Sequence, residues 1–193
     1  MPRSIRESLE SQPLSGLVLS DQDGAFEVRA CDGRPGRCLE QVITEKPIAW
    51  SPLPDPFTLA GDETWTDYTV SADIRFLSDS PAVIMGRIDS SDVFQQEKAP
   101  WPSGYILRVK PDGSWELISS TYKQPTAIYA TGSTNLNNRQ WHRFALTFLG
   151  TTVTASLDGK TLASVEATAH SHGMIGLGTE WNHVQFDNLS VKR

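Results

Sequence analysis

Along most of this chain apolar residues recur at every second position. Tyr68, Val70, Ala72, Ile74 and Phe76 alternate with Thr69, Ser71, Asp73 and Arg75. Phe144, Leu146 and Phe148 follow the same rule, and Val153, Ala155 and Leu157 resume it after Gly150. Tyr105, Leu107 and Val109 run up to Pro111-Asp112-Gly113, beyond which Trp115 and Leu117 continue. A two-residue period belongs to strands with one buried face. Val83 to Ile88, Met174 to Leu177 and Val184 to Val191 add further strand-length segments. Asp158-Gly159 supplies the positive φ angles of a tight hairpin turn. Helical periodicity is almost absent. Many short strands punctuated by turns predict an all-β, antiparallel β-sandwich rather than an α/β fold. Residues 1–193 read as one domain, with residues 1–13 as an edge strand or a tail.

One irregularity stands out in the last strand. Val184 and Phe186 share one face, whereas Leu189 and Val191 have the opposite parity. The alternation slips by one around Asp187-Asn188, which predicts a bulge there. A bulge re-aims side chains and frees carbonyls, both of which suit a cation. Asn188-Leu189-Ser190 is a formal glycosylation sequon, but its strand position argues against modification.

At 193 residues the chain has room for one substantial sandwich, not for a sandwich plus an α/β barrel. Its formal net charge of −6 argues against nucleic acid, which rewards clustered Lys and Arg. No apolar run approaches the roughly 20 residues that span a bilayer, so no membrane partner is expected. The start, Met1-Pro2-Arg3-Ser4-Ile5-Arg6, has no signal-like apolar core. Cys31 and Cys38 flank Asp32-Gly33-Arg34-Pro35-Gly36-Arg37, a strong turn sequence. A disulfide closing this loop is geometrically easy and points to an oxidising, extracytoplasmic compartment. Two reduced thiols on neighbouring strands are the other reading. Two cysteines alone are too few for structural zinc.

The strand, glycine turn, strand and Asp-Gly turn of Trp141 to Lys160, read with Phe186-Asp187-Asn188, look like a jelly roll of the concanavalin/laminin-G type, whose members mostly bind sugars. Further segments narrow the resemblance: Ser20 to Glu27, Glu45 to Trp50, Pro56 to Leu59, Gly61-Asp62 and Trp65-Thr66. Together they resemble the C-terminal lectin-like domain of the galactocerebrosidases of glycoside hydrolase family 59, over residues 5–193. In that family two glutamates on an α/β barrel preceding the lectin-like domain do the catalysis. The resemblance therefore implies a non-catalytic, carbohydrate-binding accessory domain that partners an upstream catalytic barrel. It makes a galactose-containing glycan the expected ligand. The chain also departs from the pattern: an acidic pair common in the first strand is replaced by Arg6-Glu7-Ser8, and the loop from Asp89 to Ser103 is longer. These departures leave open which sugar is bound, with a galactose-containing glycan as the expectation.

The resemblance maps a structural calcium onto Asp21, Asp23 and Asp187, with backbone oxygens near Asp55 to Phe57 as additions. Calcium takes six to eight hard oxygen ligands, and Asp21-x-Asp23 sets two carboxylates before a glycine. The alternative is that both merely solvate a turn.

Sugar sites pair an exposed aromatic platform with planar hydrogen-bonding groups. Trp101, between Pro100 and Pro102 in a polar loop, is the first choice for stacking. Flanking prolines would hold its ring with little entropy to lose. The other reading is that it folds back to cap the sandwich. Tyr122, Tyr129 and Trp181 are further aromatic candidates, and Arg87 and Asn182 are candidate hydrogen-bonding groups. Trp50, Trp65 and Trp141 are expected in the core, although Trp141 has the wrong parity relative to Phe144 and needs a bulge or an edge to be buried.

Two alternatives remain. A structural module packing on a catalytic barrel without sugar affinity is one, since fold does not imply function. A sandwich-fold hydrolase or lyase is the other. The Glu-x-Asp-x-x-Glu strand of family 16 hydrolases, with its paired carboxylates, does not occur, and Glu45, Glu63, Glu97 and Glu116 lack that spacing. His170-Ser171-His172 reads as a polar turn, with no third metal ligand evident.

Overall fold

The alternation is realised as two antiparallel sheets in the computed structural model, which describes residues 4–6, 19–48, 55–92, 101–137 and 139–193. Sheet A runs in the order β13 (Lys160–Glu166), β12 (Thr152–Leu157), β11 (His142–Leu149), β6 (Tyr68–Phe76), β15 (Val184–Lys192), β4 (Arg37–Gln41) and β3 (Phe26–Ala30). β1 (Ser4–Arg6) pairs with the end of β15, so this part of the N-terminal segment is an edge strand. Sheet B runs β10 (Ala127–Ser133), β9 (Ser114–Ser120), β8 (Gly104–Val109), β7 (Ala82–Ile88), β14 (Met174–Thr179), β5 (Phe57–Ala60) and β2 (Ser20–Asp23).

The inward parity builds the core. Val70, Ala72 and Ile74 of β6 and Phe144, Leu146 and Phe148 of β11 meet Ile84 of β7, Tyr105 and Leu107 of β8, Leu117 of β9 and Leu177 of β14. Each fully buried large side chain contributes about 1.5–3 kcal/mol. Asp158 and Gly159 have φ of 50° and 76°, which matches the twist between β12 and β13. The Asp158 carboxylate also accepts a hydrogen bond from Arg143 N at 2.8 Å and lies 2.7 Å from His142 Nδ1.

The expected bulge is present. Asp187 lies opposite Asp73, but Ser190 is already opposite Ser71, so β15 carries an extra residue. Asn188 absorbs it at φ 48°, a conformation that Asn tolerates better than most residues. Asp187 and Asn188 thereby both reach the outer face of sheet A.

Sheet B departs from simple alternation. Phe57, Leu59, Val83, Met85, Ile106 and Ile118 lie on its outer face and form a second apolar cluster with Ile88 and Trp101. The unbroken apolar run from Ala82 to Met85 is the trace of a strand buried on both faces. Trp65 joins the main core. Trp141 does not: it precedes β11 with the parity of the outer face and stays half-buried there. Trp50 lies outside the described residues.

Candidate functional site

Trp101 is not an exposed platform. It is only 4% exposed, and its carbonyl accepts a hydrogen bond from Ser120 Oγ at 3.0 Å. The apolar outer face of sheet B needs a cover, and burying the indole there outweighs leaving it in water. Arg87 is likewise withdrawn, at 2% exposure. It donates to the carbonyls of Thr66, His170 and Gly150 and reaches Asp67, fastening three loops at one end of the sandwich. A bulge in β7 opposite Ile175 and a φ of 50° turn Arg87 inward. Neither residue is available to a sugar.

Tyr122 is half-buried, with its N–H donating to Ser103 Oγ at 2.8 Å and the Lys123 ammonium 4.8 Å from its ring. Tyr129 packs edge-on against Tyr105 at 5.9 Å, a contact with the core. Trp181 and Asn182 sit at the opposite end, in the turn between β14 and β15. Asn182 donates to Ser80 Oγ at 2.7 Å, and Trp181 Nε1 is enclosed without an acceptor. The six residues are therefore spread over the outer face of sheet B and the two ends of the sandwich and form no single site.

The carboxylates expected to hold calcium do not converge either. Asp21 Oδ2 accepts Phe26 N at 3.0 Å, closing the turn at Gly24 that joins sheet B to sheet A. Asp187 lies in sheet A, where its carboxylate is ion-paired with Arg34. The Asn188 carbonyl at the bulge accepts from Arg143 at 3.2 Å. The cationic partners of the bulge are thus guanidinium groups, and this donor set does not fit a calcium ion. The one grouping of three metal-type ligands among the described residues is Cys31, Cys38 and Asp187, and there the two sulfurs are joined to each other as a disulfide with Cα atoms 5.2 Å apart.

What the fold does assemble is a polar strip across the outer face of sheet B. Thr131 stands opposite Glu116, and Glu116 opposite Arg108. Arg108 is held between two carboxylates, Glu116 at 3.3 Å and Glu180 on the far side. A cleft of about 260 Å³ opens here, lined by Arg108, Lys110, Ser114, Trp115, Glu116, Thr131 and Gly132. Gly132 is required: a Cβ there would lie 2.6 Å from the Trp115 indole. Farther along, burial pushes the Asp55 carboxyl up to about 6, with Glu180 adding to the rise against Lys46 and Arg108. Burial also raises Asp23, opposed by Lys46. The strip thus offers a guanidinium, carboxylates and hydroxyls at fixed spacing, with no charge left to be neutralised at Arg108.

The sequence pattern singles out neither Arg108 nor Glu180, and Glu116 figures there only as a rejected catalytic carboxylate. The hairpin at Pro111-Asp112-Gly113 carried the signal for Arg108 and Glu116, because its register sets the two across from each other on the non-core parity.

The other outer face, on sheet A, carries a closed charge network. Asp73 receives Arg143 at 2.7 Å, Asn188 Nδ2 at 2.7 Å and Arg34 at 3.1 Å. Burial acts to raise its carboxyl, yet these three hydrogen bonds prevail and hold it below the ordinary range. With its side-chain amide given to Asp73, Asn188 is not a free glycosylation acceptor.

The family model described as galactocerebrosidase, C-terminal lectin domain, matches residues 21–193. The galactocerebrosidase of Homo sapiens is 25% identical over 181 residues, covering 90% of this chain. The chain spans about a quarter of the length of such relatives, 26% in that case, and the match falls on the lectin domain and not on the catalytic region. Among solved structures, the carbohydrate binding module CBM66 from Bacillus subtilis superposes with a TM-score of 0.68 at 15% identity, covering 91% of this chain and 95% of that one. A Bacillus licheniformis beta-glucanase gives 0.61 at 9% identity, covering 99% and 96%. These likenesses establish the sandwich fold.

Proposed function

The chain belongs to the family of the galactocerebrosidase C-terminal lectin domain, and from that premise we propose that it is a non-catalytic, carbohydrate-binding accessory domain whose site is the Arg108 strip of sheet B. The observation that carries the reading is Arg108 fixed between Glu116 and Glu180 above a cleft of about 260 Å³. Sugars offer hydroxyls that both donate and accept. A guanidinium beside carboxylates and the Thr131 and Ser114 hydroxyls presents both kinds of partner at once. Because both ends of Arg108 are tied, it loses little freedom on binding. The cleft is smaller than the ~300–1,000 Å³ of drug-sized sites, so it suits a terminal sugar rather than a long chain. A galactose-containing glycan is the ligand suggested by the family, and a catalytic barrel is the expected neighbour. The Cys31–Cys38 disulfide supports an extracytoplasmic or secreted location.

The test is a glycan array on the wild-type chain, followed by titration of the best glycan against Arg108→Ala. Binding to galactose-terminated glycans that falls at least tenfold in Arg108→Ala supports the reading. No binding to any glycan by the folded wild-type chain would remove it and leave a purely structural role beside the barrel.

A further inference from the structure

The guanidinium of Arg34 occupies the place that a sugar ring takes in a stacking site. Its central carbon lies 3.6 Å from the centroid of the Trp141 ring. Its two terminal nitrogens donate to Asp73 Oδ2, at 3.1 Å, and to Asp187. A pyranose on an aromatic platform makes the same two kinds of contact: a flat face on the ring, and edge hydroxyls donated to carboxylates.

The seat and its occupant come from different parts of the fold. Asp73 belongs to β6, Asp187 and Asn188 to the bulge of β15, and Trp141 immediately precedes β11. Arg34 comes from the hairpin between β3 and β4, which the Cys31–Cys38 disulfide closes. Other contacts hold that hairpin down without Arg34. Trp141 Nε1 donates to Asp32 O at 2.9 Å, and Arg75 Nε donates to Asp32 Oδ2 at 2.6 Å. Arg34 itself is imperfectly seated, since its Nε is enclosed with no acceptor.

We propose that the outer face of sheet A carries a second saccharide site, floored by Trp141 and walled by Asp73, Asp187 and Asn188, which Arg34 fills as an internal ligand. The site selects neutral sugars, because its two carboxylates require donors and repel acidic rings. Opening it takes only the withdrawal of one side chain. The strained bulge at Asn188 is what keeps two consecutive polar side chains on one face, as strain at a binding site does. This site is separate from the Arg108 strip, and it stands or falls independently of it.

The experiment titrates galactose and glucose, with glucuronic acid as the acidic control, into the full chain carrying Arg108→Ala, with and without Arg34→Ala. Tryptophan fluorescence and calorimetry report binding. Withdrawing Arg34 is expected to raise affinity for the neutral sugars at least tenfold and leave glucuronic acid unbound. Adding Trp141→Ala abolishes the gain, and millimolar guanidinium competes with the sugar in the Arg34→Ala chain. Removing Arg34 leaves Asp73 paired with Arg143 but strips Asp187 of its counter-charge, so Arg34→Gln, whose shorter neutral side chain keeps an amide donor for Asp187, is the second variant, with the same expectations. A folded chain of either kind that gains no affinity, or a gain that survives Trp141→Ala, overturns the proposal.

Discussion

The two outer faces of the sandwich are built from the same kind of strand and end in opposite states. The outer face of sheet B is apolar over much of its area and is closed by a tryptophan, yet its polar strip around Arg108 stays open beside a cleft. The outer face of sheet A is polar throughout the strands facing Asp73, and its best binding groups are consumed by one another. Residue types suited to binding therefore say little until their partners are counted. Trp141, Asp73 and Asn188 look like a sugar site and are plugged, whereas Arg108 and Glu116 look like a surface ion pair and line the open cleft.

The contrast can be broken most forcefully at Trp101. If it covers sheet B, Trp101→Ala loses about 3–5 kcal/mol of stability in urea unfolding. A platform residue would instead lose binding at unchanged stability. Removing the disulfide with Cys31→Ser and Cys38→Ser costs about 2 kcal/mol, low in the usual range for so short a loop. That loss should leave glycan binding at the Arg108 strip intact, since the hairpin lies on the opposite face. A binding loss equal to that of Arg108→Ala would join the two faces into one site.

The faces also differ in the sign of their pH dependence. Asp55 ionises near 6 in the folded chain against a reference of 3.8. The folded state therefore holds an extra proton between those values, and stability falls as pH rises from about 4 to about 6. Asp73 is held below 3.8, so its contribution is complete above about pH 4 and is lost as pH drops further. Asp55→Asn should flatten the first slope and leave the second, as read from unfolding midpoints across pH. The smallest effect on stability is expected for Arg108→Ala. Its ion partners are substantially exposed, so the change should stay within about 0.5 kcal/mol while the affinity drops.

The core was legible in the chain because a two-residue period reports burial directly, as in β6 and β11. The slip between Phe186 and Leu189 likewise announced the bulge in β15. Trp101 misled because a polar flanking sequence says nothing about what lies above sheet B. The unbroken run Ala82 to Met85, which needed such a cover, lay elsewhere in the chain. Arg87 misled for a related reason: a bulge reverses parity, and β7 gave no sign of one. The proposed calcium ligands are not gathered in one place: Asp21 lies at the turn from sheet B to sheet A and Asp187 on sheet A beside the Cys31–Cys38 hairpin, a relation that only the strand order reveals. Arg34 was hidden inside a turn sequence, and its role depends on three strands far away in the chain.

Side-chain and amide NMR shifts during titration of the best array glycan into the wild-type chain test the division of the two faces most directly. Shifts are expected at Arg108, Glu116, Thr131 and Glu180, with Arg34 and Trp141 unmoved. Shifts confined to Trp141, Asp73 and Asn188, with the Arg108 strip silent, would contradict it.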